Sequence, residues 1–183
     1  IDYLCREGAA PFGAIEEGGY HHYATYLKRQ IQVEAEEKVP EGKMAKLLYD
    51  MYQPDCAKYA EESDVPQIYE LLLENFDLQA DHIPSEDDLL QIVKEKEVMI
   101  YKIGDKIECF FIYRREGKKL YCAFSYNHAS ADILYSIERR VKEIEYEENG
   151  IKMHYAWFNA ENKKALRRNA WKDTKIRDYI FVK

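Results

Sequence analysis

Cysteine and histidine are the residue types that most often bind transition metals, and their spacing in this sequence does not favour a metal site. His21 and His22 are adjacent, and adjacent residues on a strand point to opposite faces of a sheet. The four cysteines are far apart in sequence and form no CxxC pair: Cys5, Cys56, Cys109 and Cys122. We therefore expect no bound metal.

Cys109 and Cys122 are also weak candidates for a nucleophile. Both lie in apolar, strand-like runs, where a cysteine usually packs as a small buried hydrophobic residue. They could face each other on adjacent strands, so a disulfide is conceivable on geometric grounds. A cytosolic protein with reduced thiols is the simpler interpretation.

Composition limits the classes of partner. A chain of 183 residues, 46% of them hydrophobic, is long enough to bury a core of ordinary size. The formal net charge of −7 argues against general attraction to nucleic acid or to an anionic membrane. No long apolar run or secretory segment is visible, which favours a cytoplasmic protein. Because the chain starts at Ile1 rather than Met, a removed targeting segment stays open.

The first 57 residues differ from the rest. Glycines and prolines interrupt them, residues 20–36 fit a strand or a helix, and residues 43–52 have the apolar spacing of a short helix, with Leu47 and Met51 on its apolar face. We interpret residues 1–57 as an N-terminal extension or as part of a preceding domain.

Regular patterns begin at Lys58. Asp64 and Ser85 each precede an apolar helical stretch and are predicted to cap it, Asp64 by accepting from the amide of Gln67. Turn residues separate three strand-like runs, which predicts an antiparallel meander. The predicted order is strand 58–61, helix 65–77, helix 85–96, strands 97–103, 106–115 and 119–126, a helix closed by Asn149-Gly150, strand 151–158, helix 160–169 and strand 175–182. A mixed sheet with helices on both faces accommodates this order.

Three segments of residues 58–183 resemble the GNAT (GCN5-related N-acetyltransferase) superfamily. They are residues 59–68, residues 120–140 and residues 155–166. The last is the most specific, because its strand ends in Asn159 and continues as Asn-x-x-Asn-x-x-Ala. The resemblance implies an α/β (α+β) fold with a mixed, mostly antiparallel sheet flanked by helices, and an acyl-CoA-binding domain over residues 58–183.

The resemblance also implies where acyl-CoA binds. A strand that runs into a helix N-terminus offers backbone amides and the positive end of the helix dipole to a pyrophosphate. The family has Gln/Arg-x-x-Gly-x-Gly/Ala at this turn, whereas this chain has Tyr126-Asn-His-Ala-Ser-Ala131, so a methyl group at Ala129 and the missing Gln or Arg should weaken binding. Asn127 and Ser130 could cap the helix, and His128 could meet a phosphate or only solvent. The implied cofactor-binding residues are Phe124, Ser125, Tyr126, Ala129, Ser130, Ala131, Asp132, Asn159 and Asn162, with a helix cap as the alternative role of Asn162.

The sequence identifies the catalytic residues less completely than the cofactor-binding residues. Acylation of an amine needs a base for the ammonium proton and an acid for the leaving thiolate. Family members often use a tyrosine as the acid, and the corresponding positions here are Arg168 and Asn169. The candidate bases are Glu108 and, second, Asp132, although a solvated carboxylate is the more common role of either. Tyrosines that could replace the acid, but that core packing also explains, are Tyr121, Tyr126 and Tyr155.

Two functions follow from the resemblance. The first is an N-acyltransferase that uses acetyl-CoA as cosubstrate and a primary amine as acceptor, by direct attack and without a metal. The second is a GNAT-like domain that has lost catalysis and serves as a binding or regulatory module. A homodimer or contact with a further domain is compatible with both, whereas nucleic acid and membrane are not expected partners.

Overall fold

The structure is a computed structural model that describes residues 3–6, 12–32, 43–168 and 172–183. The chain divides into two compact units. We call Ile1–Ile31, Phe76–Ile83 and Tyr155–Lys183 the terminal unit, and Gln32–Asn75 and Pro84–His154 the meander unit.

The meander unit contains the predicted antiparallel sheet. Its strands are β3 (Lys58–Tyr59), β4 (Val98–Ile103), β5 (Lys106–Glu116) and β6 (Lys119–Asn127), and each pairs with the next in antiparallel register. Gly104 and Gly117 both have φ of 62°, the left-handed conformation that tight hairpin turns require and glycine adopts without strain. The predicted meander is confirmed, with strand ends within one residue of those expected.

Four described helices accompany these strands: α2 (Lys43–Asp50), α3 (Val65–Asn75), α4 (Glu86–Lys94) and α5 (Ala131–Asn149). Ile137 and Val141 of α5 pack with the fully buried Tyr113 and Leu120 in the main hydrophobic core. Gly150 ends α5 with φ of 60°, which confirms the predicted glycine stop. The apolar spacing of residues 43–52 does form the predicted short helix, and Leu47 and Met51 are 51% and 42% exposed.

The two predicted helix caps have different outcomes. The Ser85 hydroxyl accepts a hydrogen bond from the amide of Asp88 at 3.1 Å, which confirms that cap. Asp64 instead accepts from the amide of Glu61 at 3.0 Å and pairs with the ammonium group of Lys102. The prediction for Asp64 is wrong because a 3-10 turn over Glu62–Asp64 precedes α3 and turns the carboxylate back toward the chain before it.

The terminal unit is built from both ends of the chain. It contains β1 (Tyr3–Arg6), α1 (Phe12–Glu17), β2 (His21–Gln32), β7 (Met153–Asn159, in this unit from Tyr155), α6 (Lys163–Arg168) and β8 (Lys172–Val182). The strand order is β1-β8-β2-β7. β2 runs antiparallel to β8 from the pair His21 and Val182 to the pair Gln30 and Lys172.

Within the stretch that fitted a strand or a helix, residues 21–32 form a strand, which lies between two strands of the C-terminal region, and residues 33–36 lie outside the described residues. The division of the chain into residues 1–57 and 58–183 stays a prediction. The predicted fold class is confirmed: a mixed α/β arrangement with a mostly antiparallel sheet and flanking helices.

The described residues bear on the expectations for disulfides, metal sites and membrane spans. Cys56, Cys109 and Cys122 carry thiols and form no disulfide with one another. Among the described residues, no group of three or more His, Cys, Asp or Glu residues is placed to hold a metal ion. None of the helices in the described ranges is long and apolar enough to cross a membrane.

Candidate functional site

The turn between β6 and α5 is closed by the backbone of β5. The amides of His128 and Ala129 both donate to the carbonyl oxygen of Glu108, at 2.8 Å and 3.2 Å. Ala129 also packs against the main hydrophobic core, so the protein accommodates its methyl group. Two of the amides in this turn are consequently already used within the protein.

The next three amides are available. Within the described part of the chain, the backbone N–H groups of Ser130, Ala131 and Asp132 have no hydrogen-bond acceptor. Ser130 is the N-cap residue, with φ of −83° and ψ of 161°, and its side chain forms no capping hydrogen bond. α5 is 19 residues long, so its dipole adds positive potential at the same place. Three donors at the start of a long helix are suited to an anionic group.

Of the described side chains in this turn, those of Tyr126 and Asn127 add no guanidinium or free amide to it. The side-chain amide of Asn127 donates to the carbonyl oxygen of Ser130 at 3.2 Å, so it closes the loop instead of capping the helix. The ring of Tyr126 stacks on Phe110, with ring centroids 5.4 Å apart. The backbone donors of α5 therefore carry the anion-binding capacity of the turn.

The predicted cofactor strand has an irregularity just before the turn. Phe124 pairs with Ile112, and Cys122 pairs with Tyr113, so Ala123 is an extra residue on β6. A bulge of this kind bends a strand and re-aims the side chains that follow it. Among those, Phe124 is partly buried and Ser125 is exposed.

Glu108 lies beside the turn, and its carboxylate contacts two side chains, those of Lys106 and His128. Its carboxylate is 2.7 Å from Lys106 Nζ and 2.7 Å from His128 Nδ1. Both contacts lower the pKa of Glu108, and the contact with Lys106 has the larger effect. Glu108 is therefore ionised at neutral pH. The same shift makes it a weaker proton acceptor, because the best base has a pKa near the working pH. His128, for which only a phosphate or solvent role was considered, thus has a protein partner.

Asp132, the second candidate base, lies in the first turn of α5. Its carboxylate is 3.4 Å from the side-chain amide of Gln53. A negative charge here stabilises the helix through its dipole, which is the ordinary structural role of an acid at this position.

In the terminal unit, Asn159 and Asn162 use their side-chain oxygens locally. Asn159 Oδ1 accepts from the amide of Glu161 at 2.8 Å. Asn162 Oδ1 accepts from the amide of Ala165 at 3.0 Å, in the first turn of α6, which confirms the helix-cap role considered for it. Each of these bonds uses one lone pair of a side-chain oxygen and leaves the side-chain nitrogen, which is a donor, able to contact a ligand.

Tyr26 on β2 is a neighbour of Asn159 that the sequence did not point to. The Tyr26 hydroxyl donates a hydrogen bond to the carboxylate of Asp81, and the side chain of Asn159 lies close enough to act in the opposite direction on the pKa of that hydroxyl, lowering it. Burial, and then the Asp81 carboxylate, raise the pKa of Tyr26, so the hydroxyl keeps its proton. No local pattern could reveal this contact, because β2 and Asn159 are distant in sequence and meet only through the sheet.

The other tyrosines considered for the acid role have different surroundings. Tyr155 is buried, with Lys28 Nζ 4.2 Å above its ring. Tyr121 is partly buried on β6. Of the two positions where the family places its acid, Asn169 lies outside the described residues, as does the side chain of Arg168.

Comparison with known proteins shows a likeness of structure and none of sequence. The sequence matches no protein-family model, and no curated protein matches it. A GCN5-related N-acetyltransferase from Sphaerobacter thermophilus superposes with a TM-score of 0.62 at 14% identity, over 95% of this chain and 56% of that one. An acetyltransferase of the GNAT family from Colwellia psychrerythraea gives 0.56 at 11% identity, over 98% and 64%.

A third structure, a GCN5-related N-acetyltransferase from Kribbella flavida, gives a TM-score of 0.53 at 11% identity, over 97% of this chain and 42% of that one. The chain thus spans less than two thirds of the length of each of these proteins. At such identities the likeness concerns the fold and not the substrates. The chain has the fold of the GCN5-related N-acetyltransferases.

Proposed function

We propose that this protein binds acyl-CoA and transfers its acyl group, as an acetyltransferase, to a primary amine. The observation that supports the proposal best is the group of three backbone amides without acceptors at Ser130, Ala131 and Asp132. They lie where a strand enters a 19-residue helix, a place with the charge and geometry for a pyrophosphate. The fold is the one in which this turn is expected to hold the cofactor.

The reaction we propose needs no covalent enzyme intermediate. The amine nitrogen attacks the thioester carbonyl carbon, the C–S bond breaks, and the thiolate of CoA leaves. The ammonium proton must be removed before attack, and the thiolate must gain a proton. Backbone amides and fixed dipoles can orient the cofactor for this attack, which is a large part of catalysis by proximity.

Besides the three amides, we propose further contacts with the cofactor. The pantetheine arm would contact the backbone of β6 at Phe124, Ser125 and Tyr126. Ala129 would form part of the turn that surrounds the pyrophosphate. In the terminal unit, the side-chain nitrogens of Asn159 and Asn162 would donate to amide carbonyls of the cofactor, because their oxygens already accept from the backbone.

Glu108 stays the proposed general base. It is ionised at neutral pH, which the role requires, and its ion pair with Lys106 makes it weak, as its lowered pKa indicates. An amine that binds in its neutral form would need little proton removal by Glu108. Orientation of the cofactor and the amine would therefore contribute more to the rate than proton transfer would.

The second function, a binding or regulatory module that holds acyl-CoA without turning it over, has one observation in its favour. Glu108 is engaged by both Lys106 and His128, so the carboxylate is committed within the protein. In such a module Glu108 would brace the turn, and the amides of α5 would still bind the cofactor.

Two measurements test these functions. Unfolding temperature and calorimetric titration are followed with CoA, since a ligand at one hundred times its dissociation constant adds about 2.7 kcal/mol to the free energy of unfolding. Release of free thiol from acetyl-CoA is then measured with a panel of primary amines. Binding with amine-dependent thiol release supports the transferase, and binding without release supports the module. No shift at millimolar CoA refutes both.

A further inference from the structure

A cavity of about 390 Å³ lies in the meander unit, lined by residues of β3, of the 3-10 turn Pro54–Cys56 before it, of β4 and of the middle of α5. Its volume is at the lower end of the range for small-molecule sites, about 300 to 1,000 Å³, so it suits a small ligand. None of the residues that line it is among those proposed to contact the cofactor. The cavity is therefore a separate feature of this unit.

The lining of the cavity carries more positive than negative charge, although the whole chain has a net charge of −7. Lys58 and Arg140 both line it, and Asp55 is the one acid among its described lining residues. Two positive charges attract an anion, and the carboxylate of Asp55 opposes a second negative charge on it. The cavity thus favours a ligand with a single negative charge.

Arg140 is not held in a close ion pair with the acid one turn away on α5. The Glu143 carboxylate is 2.9 Å from Arg139 Nε and also accepts from the hydroxyl of Tyr52. A guanidinium nitrogen of Arg140 is 3.9 Å from the same carboxylate, which is beyond hydrogen-bond distance. A guanidinium group presents parallel N–H donors that match the two oxygens of a carboxylate. Arg140 can therefore bind the carboxylate of a ligand.

Strand β3 adds a backbone donor beside the cavity. The amide of Ala60 donates to the carbonyl oxygen of Val98 at 3.0 Å, and Tyr59 pairs with Met99. Because alternate residues of an antiparallel strand direct their N–H and C=O groups to the partner strand, those of Tyr59 point away from β4. β3 is the last strand on this side of the sheet. The N–H of Tyr59, which lines the cavity, therefore faces an open edge where it can donate to a ligand.

The remaining part of the lining is largely apolar. Met99 is 3% exposed and belongs to the main hydrophobic core, against which Ala57 packs. Ile144 of α5 is partly buried and also lines the cavity. Hydrocarbon that covers these side chains is removed from water, which favours its binding.

We propose that this cavity binds a small monocarboxylic acid with a compact hydrocarbon body. The carboxylate is bound by Lys58 and Arg140, and the hydrocarbon covers Met99 and Ile144. The site is independent of the proposed function, and it would exist in a transferase and in a binding module alike.

The experiment is a titration of the full chain with cyclohexanecarboxylate at neutral pH, followed by the NMR signals of the backbone amides. We expect saturable shifts at millimolar concentration in residues 57–59 and 140–144. Cyclohexanecarboxamide has the same shape without the charge and should bind at least about 5-fold more weakly, because its contacts with the two cations are no longer charge-assisted on both sides. Inorganic phosphate has the charge without the hydrocarbon and should not saturate the same signals.

Arg140→Gln removes the guanidinium group and keeps a polar side chain. It should weaken binding of cyclohexanecarboxylate about 5- to 20-fold, the lower part of the range for a hydrogen bond to a charged group, because the Arg140 side chain is 43% exposed. Lys142→Gln is the matched control, since it removes one positive charge from a partly buried position of the same helix that does not line the cavity. K142Q should leave the affinity within twofold.

Each result has a definite meaning. Shifts in the two segments that R140Q weakens and K142Q does not would support the site. Equal effects of R140Q and K142Q, equal binding of the carboxamide or of phosphate, or no saturable shift in these segments would each overturn it. Should R140Q not fold, Lys58→Gln takes its place, because Lys58 is exposed, and affinity equal to the wild type would then overturn the site. CoA is absent from these titrations, so their failure leaves the proposed function standing, and failure of the wild type to bind CoA leaves this site standing.

Discussion

Replacement of Ala131 by proline removes one of the three available amides at the start of α5 with little change to the helix. Ala131 is the first residue of α5, where proline is tolerated because that N–H has no intrahelical partner. The preceding residue, Ser130, has φ of −83° and ψ of 161°, a conformation compatible with a following proline. The side chain at position 131 is exposed, so the ring has space.

The size of the effect follows from what the amide would do. A hydrogen bond to a charged group contributes about 1.5 to 3 kcal/mol, because an unmade bond leaves the charge unsatisfied. At about 1.4 kcal/mol for each factor of ten, CoA should bind roughly 10- to 150-fold more weakly to A131P. The fold should not be weakened, because a proline at a compatible position reduces the freedom of the unfolded chain and adds about 0.4 to 1 kcal/mol.

Glu86→Pro is the matched control. Glu86 is the first residue of α4, it is exposed, and its N-cap Ser85 has an extended backbone. Both variants are titrated with CoA by calorimetry, and their stability is measured by urea unfolding. Weaker CoA binding by A131P with unchanged binding by E86P supports the amide site. A folded A131P that binds CoA within threefold of the wild type would refute the assignment of this turn to the cofactor.

Two predictions concern stability, both measured by urea unfolding. The side chain of Glu97 is 4% exposed, and its carboxylate pairs with Arg114 Nε at 2.8 Å and with Arg115 Nε at 3.0 Å. E97Q should therefore lower the free energy of unfolding by about 2 kcal/mol. This is less than the loss expected for a fully buried pair, because both arginines can rehydrate. E95Q loses the exposed pair of Glu95 with Arg114 at 3.8 Å and should lower the free energy of unfolding by under about 0.5 kcal/mol. A loss equal to that of E97Q would contradict the argument from burial. Arg177 lowers the pKa of Asp173 to about 2, so the pair stabilises the fold above about pH 4 and this contribution falls as pH approaches 2. D173N should therefore lose up to about 1 kcal/mol at pH 7 and converge with the wild type as pH falls, and a constant difference would exclude the ion pair as its cause.

Features set by neighbours in the sequence were predicted well. The meander strands follow from apolar runs separated by turn residues, and Gly104 and Gly117 adopt the left-handed backbone that those turns need. α5 follows from apolar residues at helical spacing, and Ile137 and Val141 are fully buried as the spacing indicates. Ser85 caps α4 through an amide three residues away. All of these depend on contacts within a few residues or on one face of one element.

Features set by distant residues were not predictable from the same patterns. Residues 20–36 fitted two conformations, and pairing with β8, more than a hundred residues later, selects the strand. Asp64 looked like a cap for α3, but Lys102 and Glu61 are its partners. Tyr26 carried no signal at all, since its contact with Asp81 exists only after the sheet has formed.

The Asn-x-x-Asn-x-x-Ala segment bears differently on fold and on function. Its spacing is explained by the backbone: Asn159 closes the turn through the amide of Glu161, and Asn162 caps α6 through the amide of Ala165. A binding module with this fold would need the same two oxygens, so the motif is evidence for the fold whether or not catalysis takes place. Evidence for cofactor binding must come from atoms that the fold leaves unused. These are the three amides that start α5 and the side-chain nitrogens of the two asparagines, and A131P tests the first of these two groups.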